Sequence, residues 1–157
     1  MHSDLPPRIV RKAACLASAL CLAWGPLLAA PAVADAPTAC PAPAELTPQH
    51  LYGTWLATVE GETAPVTIRL GRHPELAGSV SGELTRAGVR AQVAGDVDEG
   101  DFTLEESSDG QRISATWLGQ VEDASCGKEI KGTWTKATDT SPTAGRNFTL
   151  RKQAGWQ

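Results

Sequence analysis

The side chains of this 157-residue chain that could do acid–base or metal chemistry are few and scattered. After residue 34 the only histidines are His50 and His73, and neither has neighbours at the spacing of a zinc site. Glu105 and Glu106 are adjacent, so on a strand they point to opposite faces and cannot act on one substrate together. The stretch Gly78–Gly82 has valine where a nucleophile motif has serine. We therefore expect no enzymatic activity, no cofactor and no metal.

A cluster of acidic residues could still attract calcium. It is formed by Asp96, Asp98, Glu99 and Asp101. Carboxylates are good calcium ligands, but the regular spacing of a calcium-binding loop and its distal bidentate glutamate are missing. We interpret the cluster as a solvated acidic turn and keep calcium binding as the alternative.

The N-terminal residues have the features of a secretory signal peptide. Three basic residues precede an apolar run over 13–30, and Ala32-Val33-Ala34 has the small-x-small form of a cleavage site. We expect residues 1–34 to be removed, with cleavage after Ala36 as the second choice. The alternative is an uncleaved membrane anchor, since the run is just long enough to span a bilayer.

The cysteines fit the same expectation. Cys15 and Cys21 would leave with the signal peptide, so Cys40 and Cys126 would be the two that reach an oxidising compartment. We predict that these two form a disulfide bond. The alternative is lipidation of Cys40, because the preceding Thr-Ala resembles part of a lipoprotein processing site. Pro37, however, stands where that site has a large aliphatic residue.

The charge excludes one class of partner. The full chain has 14 basic and 18 acidic residues; without residues 1–34 it has 11 and 17, a net charge of −6. A phosphate backbone would be repelled by this surface, so we expect no nucleic-acid partner. No later segment is long and apolar enough to span a membrane, so we expect no membrane partner after cleavage and a secreted or periplasmic location.

The elements that must position these residues are short strands. Apolar residues recur with period two after residue 48, in runs separated by Gly, Asp, Ser and Pro. The predicted strands are 50–60, 65–71, 76–85, 88–98, 101–107, 111–122, 128–136 and 146–152. Their connections are mostly two to six residues, which suits antiparallel neighbours. Residues 35–48 are rich in Pro and Ala and are predicted to form an extended arm before a β domain at 49–157.

The alternation gives all eight strands one apolar face. It includes Leu76, Val89 and Ile113 near the strand ends, and six glycines at 53, 78, 82, 95, 119 and 132. No helix is predicted that could cover this face. A closed sheet buries it and leaves no free edge, so we predict an all-β fold, an eight-stranded antiparallel up-and-down barrel with the arm attached by the disulfide. The alternative is a two-layer sandwich.

Three tryptophans, each preceded by a threonine, belong to the inward face. A Gly or Ala lies two positions before Trp55, Trp117 and Trp134, and we interpret these small residues as leaving space for the indoles. Glu106 is the one charged residue predicted to point inward. These four residues and Val59 are our candidate ligand-binding residues.

The connections divide between two barrel ends. End A carries the start of strand one and the 2–3, 4–5 and 6–7 connections, so Cys40 and Cys126 both fall there. End B carries the other four connections, including the long segment 137–145, and is the predicted open end.

Several motifs resemble the calycin barrels, which include avidin-like and lipocalin-like proteins. They are Gly53-Thr54-Trp55 with its lead-in Leu46–Tyr52, Trp117-Leu118-Gly119-Gln120, Gly127-Lys128-Glu129-Ile130, Trp134, and Gly145–Thr149. The resemblance covers strand one and strands six to eight, and implies an eight-stranded barrel that binds small ligands at its open end. It does not extend to biotin binding, because Ala57 and Val80 fall near positions where avidins use polar or aromatic contacts, and Asn147 is predicted to point outward.

Two functional hypotheses follow for a non-enzymatic barrel. In the first, it binds a small apolar ligand at end B. In the second, it binds a secreted protein, as an inhibitor of a secreted hydrolase such as a protease or a lysozyme, with the arm and the segment 137–145 as surfaces to test. The second rests on analogy with small stapled β-fold inhibitors.

Overall fold

The computed structural model describes residues 40–141 and 143–155, and these form a closed barrel. The strands are β1 (Gly53–Val59), β2 (Val66–Arg72), β3 (Val80–Arg86), β4 (Val89–Asp98), β5 (Asp101–Ser107), β6 (Ala115–Val121), β7 (Glu129–Lys136) and β8 (Arg146–Lys152). Each strand pairs antiparallel with the next, and β8 pairs with β1. The predicted barrel is confirmed. The predicted signal peptide, residues 1–34, lies outside the described residues.

The barrel interior is filled by large apolar side chains. Trp55, Trp117, Trp134 and Phe102 are almost fully buried, and β-branched and leucine side chains from all eight strands surround them. Trp117 packs edge-on against Trp134 and against Phe148, with ring centroids 6.1 and 5.0 Å apart. The prediction that the three tryptophans share one buried face is therefore confirmed.

The inward glycines have a different role from the one we predicted. A Cβ at Gly82, Gly95 or Gly132 would overlap a backbone carbonyl oxygen of a paired strand, and at Gly119 it would meet both the Lys131 carbonyl and the Phe148 ring. Neighbouring backbones approach closely where the sheet curves, and only glycine fits there. The space is thus taken mainly by backbone and not by indole rings.

Three side chains predicted to face inward are exposed: Leu76, Val89 and Ile113. β3 begins at Val80 and β6 at Ala115, so Leu76 and Ile113 lie in connections where alternation no longer applies. Val89 is the first residue of β4, directly after a tight turn, and its side chain lies outside the core. Gly78 also lies outside a strand, and a Cβ added there would meet no atom within 4 Å.

End A is closed by the residues that precede β1. A short 3-10 turn, Pro43–Glu45, is followed by a single helical turn, α1 (Pro48–Leu51), so the prediction that strand one starts at residue 50 was wrong. Leu51 is buried, and its carbonyl accepts a hydrogen bond from the Trp55 indole at 2.8 Å. Leu46 is also buried and lies against Gly127. The described part of the predicted arm, residues 40–48, thus packs on the barrel.

The predicted disulfide between Cys40 and Cys126 is present, with the two Cα atoms 4.7 Å apart. It joins the segment before β1 to the β6–β7 connection, as the assignment of both cysteines to end A required. No helix among the described residues has the length and apolar character needed to cross a membrane.

Candidate functional site

The centre of end B is a buried carboxylate that accepts three hydrogen bonds. Glu106 is 6% exposed at the end of β5. Its Oε2 atom accepts from the Trp117 and Trp134 indole nitrogens, each at 3.3 Å, and from the Arg86 guanidinium at 3.2 Å. Neighbouring strands place the carboxylate and the two indoles together, because β5 pairs with β6 and β6 with β7. The two indole nitrogens, which lie within an apolar core, are therefore hydrogen-bonded.

A second layer of charged side chains covers this carboxylate. Arg146 pairs with Glu62 at 3.0 Å, and Glu62 lies 3.9 Å from the Nε atom of Arg86. The guanidinium carbons of Arg86 and Arg146 lie 4.6 and 4.3 Å from the Trp134 ring centroid, within cation–π distance. End B is consequently filled by two arginines, two glutamates and two indoles.

Four of the five predicted binding residues lie toward the same end of the barrel. Val59, Glu106, Trp117 and Trp134 are buried toward end B. Trp55 lies toward end A, where it pairs with Lys152 and bonds to Leu51. Whether any of them contacts a ligand stays a prediction.

Sequence reasoning missed Arg86, which is central to this cluster. We ended strand three at residue 85, but Arg86 continues the alternation of Val80, Gly82 and Leu84 and turns toward Glu106. Extending the period-two pattern by one residue would have found it. The Arg86 Nε atom is buried and has no hydrogen-bond partner among the described residues.

The acidic cluster 96–101 does not come together as a metal site. Within residues 40–141 and 143–155 there is no group of three or more His, Cys, Asp or Glu side chains arranged to hold a metal ion. Asp101 instead accepts a hydrogen bond from the Gln120 amide.

A cleft lies on the outside of the barrel. It has a volume of about 500 Å³ and is lined by outward-facing groups of β3, β4 and β5, including Ser81, Gln92 and Glu105. The β5–β6 connection, residues 108–114, forms one wall and will be called the 5–6 loop. Its Gly110 lies against the Gln92 side chain.

No protein-family model matches the chain, and no curated protein matches it.

The 5–6 loop is held in shape by its own hydrogen bonds. One carboxylate oxygen of Asp109 accepts from the backbone N–H groups of Gln111 and Arg112 at 2.9 and 2.8 Å, and the other accepts from the Arg112 side chain at 3.1 Å. Ser114 donates from its backbone and its hydroxyl to the Glu106 carbonyl at 2.7 and 3.0 Å. The loop thus presents the exposed side chains of Arg112 and Ile113 beside the cleft in a defined conformation.

These bonds lower the pKa of the Asp109 carboxyl well below its ordinary value of 3.8, chiefly through the backbone N–H groups of Arg112 and then Gln111. A depressed folded-state pKa means that the carboxylate stabilises the loop above the unfolded pKa, and that this effect is lost as the pH falls toward the folded value. We expect the amide resonances of Gln111 and Arg112 to titrate with a midpoint well below 3.8 in an NMR pH series. The Asp109→Asn variant should lose this step. A midpoint near 3.8 would show that the loop is not organised around Asp109.

Proposed function

We propose that this protein is a non-enzymatic barrel that binds a secreted hydrolase, as its inhibitor, through the 5–6 loop and the outer cleft. The observation that carries this is the braced loop, which places Arg112 and Ile113 at the edge of a cleft of about 500 Å³. A loop already ordered in the free protein loses less entropy on binding. Arginine is enriched among the residues that dominate binding energy, and the Arg112 side chain is 89% exposed.

The filled interior supports the protein-binding hypothesis over the small-ligand one. A small apolar ligand at end B would have to displace the Arg86–Glu106 pair and uncover the two indoles that this carboxylate holds. Ligand pockets are usually largely formed before binding, with mostly apolar walls. The outer cleft is open without any such rearrangement.

A secreted or periplasmic location is part of the proposal. The disulfide between Cys40 and Cys126 is compatible with an oxidising compartment. The closed eight-stranded topology supports the resemblance to calycin barrels without adding biotin to the proposal. Ala57 and Val80 are completely buried among apolar neighbours, and the amide of Asn147 points outward to Glu60 at 3.1 Å.

The proposal is tested by inhibition assays with a purified secreted serine protease and a purified lysozyme. We expect the protein to inhibit at least one of them in 1:1 stoichiometry. Ile113→Glu should raise the inhibition constant at least about tenfold, since a charge at the contact would cost about 1.4 kcal/mol or more of binding free energy. The matched control is Leu118→Glu, because Leu118 is similarly exposed, 56% against 47%, but lies on the outer face of β6. It should inhibit like the unmodified protein.

The hypothesis of a small apolar ligand at end B predicts a different result in these experiments. Binding of an apolar fluorescent probe that Val59→Trp abolishes, together with no inhibition of either enzyme, would replace the proposal with a ligand site at end B. Equal inhibition by Ile113→Glu and Leu118→Glu would also overturn it, because the 5–6 loop would then not be the contact surface.

A further inference from the structure

A second cleft lies at end A and has a positive lining. It has a volume of about 640 Å³ and is bordered by Lys128 from the β6–β7 connection, Lys152 from β8, and His50 from α1. The backbone N–H of Lys152 donates to the Lys128 carbonyl at 2.9 Å, so the two lysines are direct neighbours. We propose that this cleft binds an oxyanion, either a carboxylate or a phosphate group.

The Lys152 side chain, which lines the cleft, is held by two contacts. Its ammonium group lies 5.6 Å from the Trp55 ring centroid and donates to the His50 carbonyl at 2.5 Å. Burial lowers the pKa of Lys152, and the charge of Lys128 lowers it further. Both effects destabilise the ammonium form of Lys152 relative to the neutral amine. An anion placed between the two lysines would stabilise the ammonium form.

No carboxylate among the described residues pairs with either lysine within 4.0 Å. The nearest acid along β7, Glu129, is already shared by Arg151 at 3.0 Å and Lys131 at 3.2 Å. Arg86 and Arg146 at end B, in contrast, each have an ion-pair partner. The cleft is therefore a local positive site on a protein whose net charge is negative.

His50 also lines the cleft. Its Nδ1 atom accepts the backbone N–H of Thr47 at 3.0 Å, so the neutral ring carries its proton on Nε2. An Nε2–H group can donate to an anion but cannot neutralise the lysines. One neutral donor and two cations suit an oxyanion, whose oxygens accept several charge-assisted hydrogen bonds.

The test is an NMR titration of the full chain with inorganic phosphate and, separately, with acetate, at constant ionic strength. We expect saturable shifts at Lys128, Lys152 and His50 and a rise in the pKa of Lys152 when the anion is bound. Lys152→Met keeps an apolar stem against Trp55 but removes the charge, and should weaken binding at least about tenfold. The matched control is Lys136→Met, because Lys136 lies near Trp134 at the other end of the barrel.

The two anions distinguish the source of the ligand. Tighter binding of phosphate assigns a phosphate group, whereas equal or tighter binding of acetate assigns a carboxylate, such as that of a partner protein. Shifts that do not saturate, or that are equally strong in Lys152→Met, would overturn the proposal. Ile113→Glu should leave phosphate binding unchanged, so this inference stands or fails separately from the inhibitor proposal.

Discussion

Replacing Glu106 with alanine should destabilise the barrel by about 3–5 kcal/mol, the typical cost of removing one partner from a buried ion pair. The substitution would leave the Arg86 guanidinium without its closest carboxylate, since Glu62 lies 3.9 Å away. It would also leave the indole nitrogens of Trp117 and Trp134 without their acceptor. Each unpaired buried donor adds its own desolvation cost. Chemical denaturation followed by tryptophan fluorescence measures the change in the free energy of unfolding.

The neighbouring residue supplies the control for this prediction. Glu105 is exposed on the outer face of β5, so Glu105→Ala should change stability by no more than about 0.5 kcal/mol. A double-mutant cycle between Arg86→Ala and Glu106→Ala should show a coupling energy, because the two side chains are in direct contact. If Glu106→Ala and Glu105→Ala unfolded at the same denaturant concentration, the buried carboxylate would not be what holds end B together.

The barrel could be predicted from the sequence because its strands keep one strict period. Strand five was predicted at 101–107 and strand eight at 146–152, and both match the structure. Errors occurred where the chain leaves the sheet. An apolar residue in a connection, such as Ile113, looks like one more inward position although nothing pairs with it. Periodicity alone cannot show where the hydrogen-bonded ladder stops.

The candidate site was only partly within reach of the sequence. Glu106 could be assigned to the interior by alternation, but its partners depend on the register between strands and on the end of β3. The outer cleft depends on how the 5–6 loop folds back over β4, through Asp109 and Gly110. Such a loop conformation follows from specific hydrogen bonds and leaves no periodic signal.

Gly132→Ala should destabilise the barrel by about 3 kcal/mol or more, at or above the upper end of the usual cost of overpacking. Gly132 of β7 pairs with Gly119 of β6, and an added Cβ would overlap the Leu118 carbonyl oxygen and the Gly119 Cα. Both are backbone atoms, so no side-chain rotation can relieve the overlap, and the two strands would have to separate. The loss should appear as a lower melting temperature and a lower denaturation midpoint.

Gly71→Ala is the matched control, because Gly71 also lies within a strand, β2, but an added Cβ meets no atom within 4 Å. This variant should be neutral or slightly more stable, since alanine restricts the unfolded chain more than glycine does. The comparison separates the two explanations of the inward glycines. Had these glycines served only to leave space for the indoles, the tryptophan side chains could adjust and Gly132→Ala would cost little more than Gly71→Ala. A large difference between the two variants would instead show that the curvature of the closed sheet, and the close approach of β6 and β7 that it requires, is what demands glycine at this position.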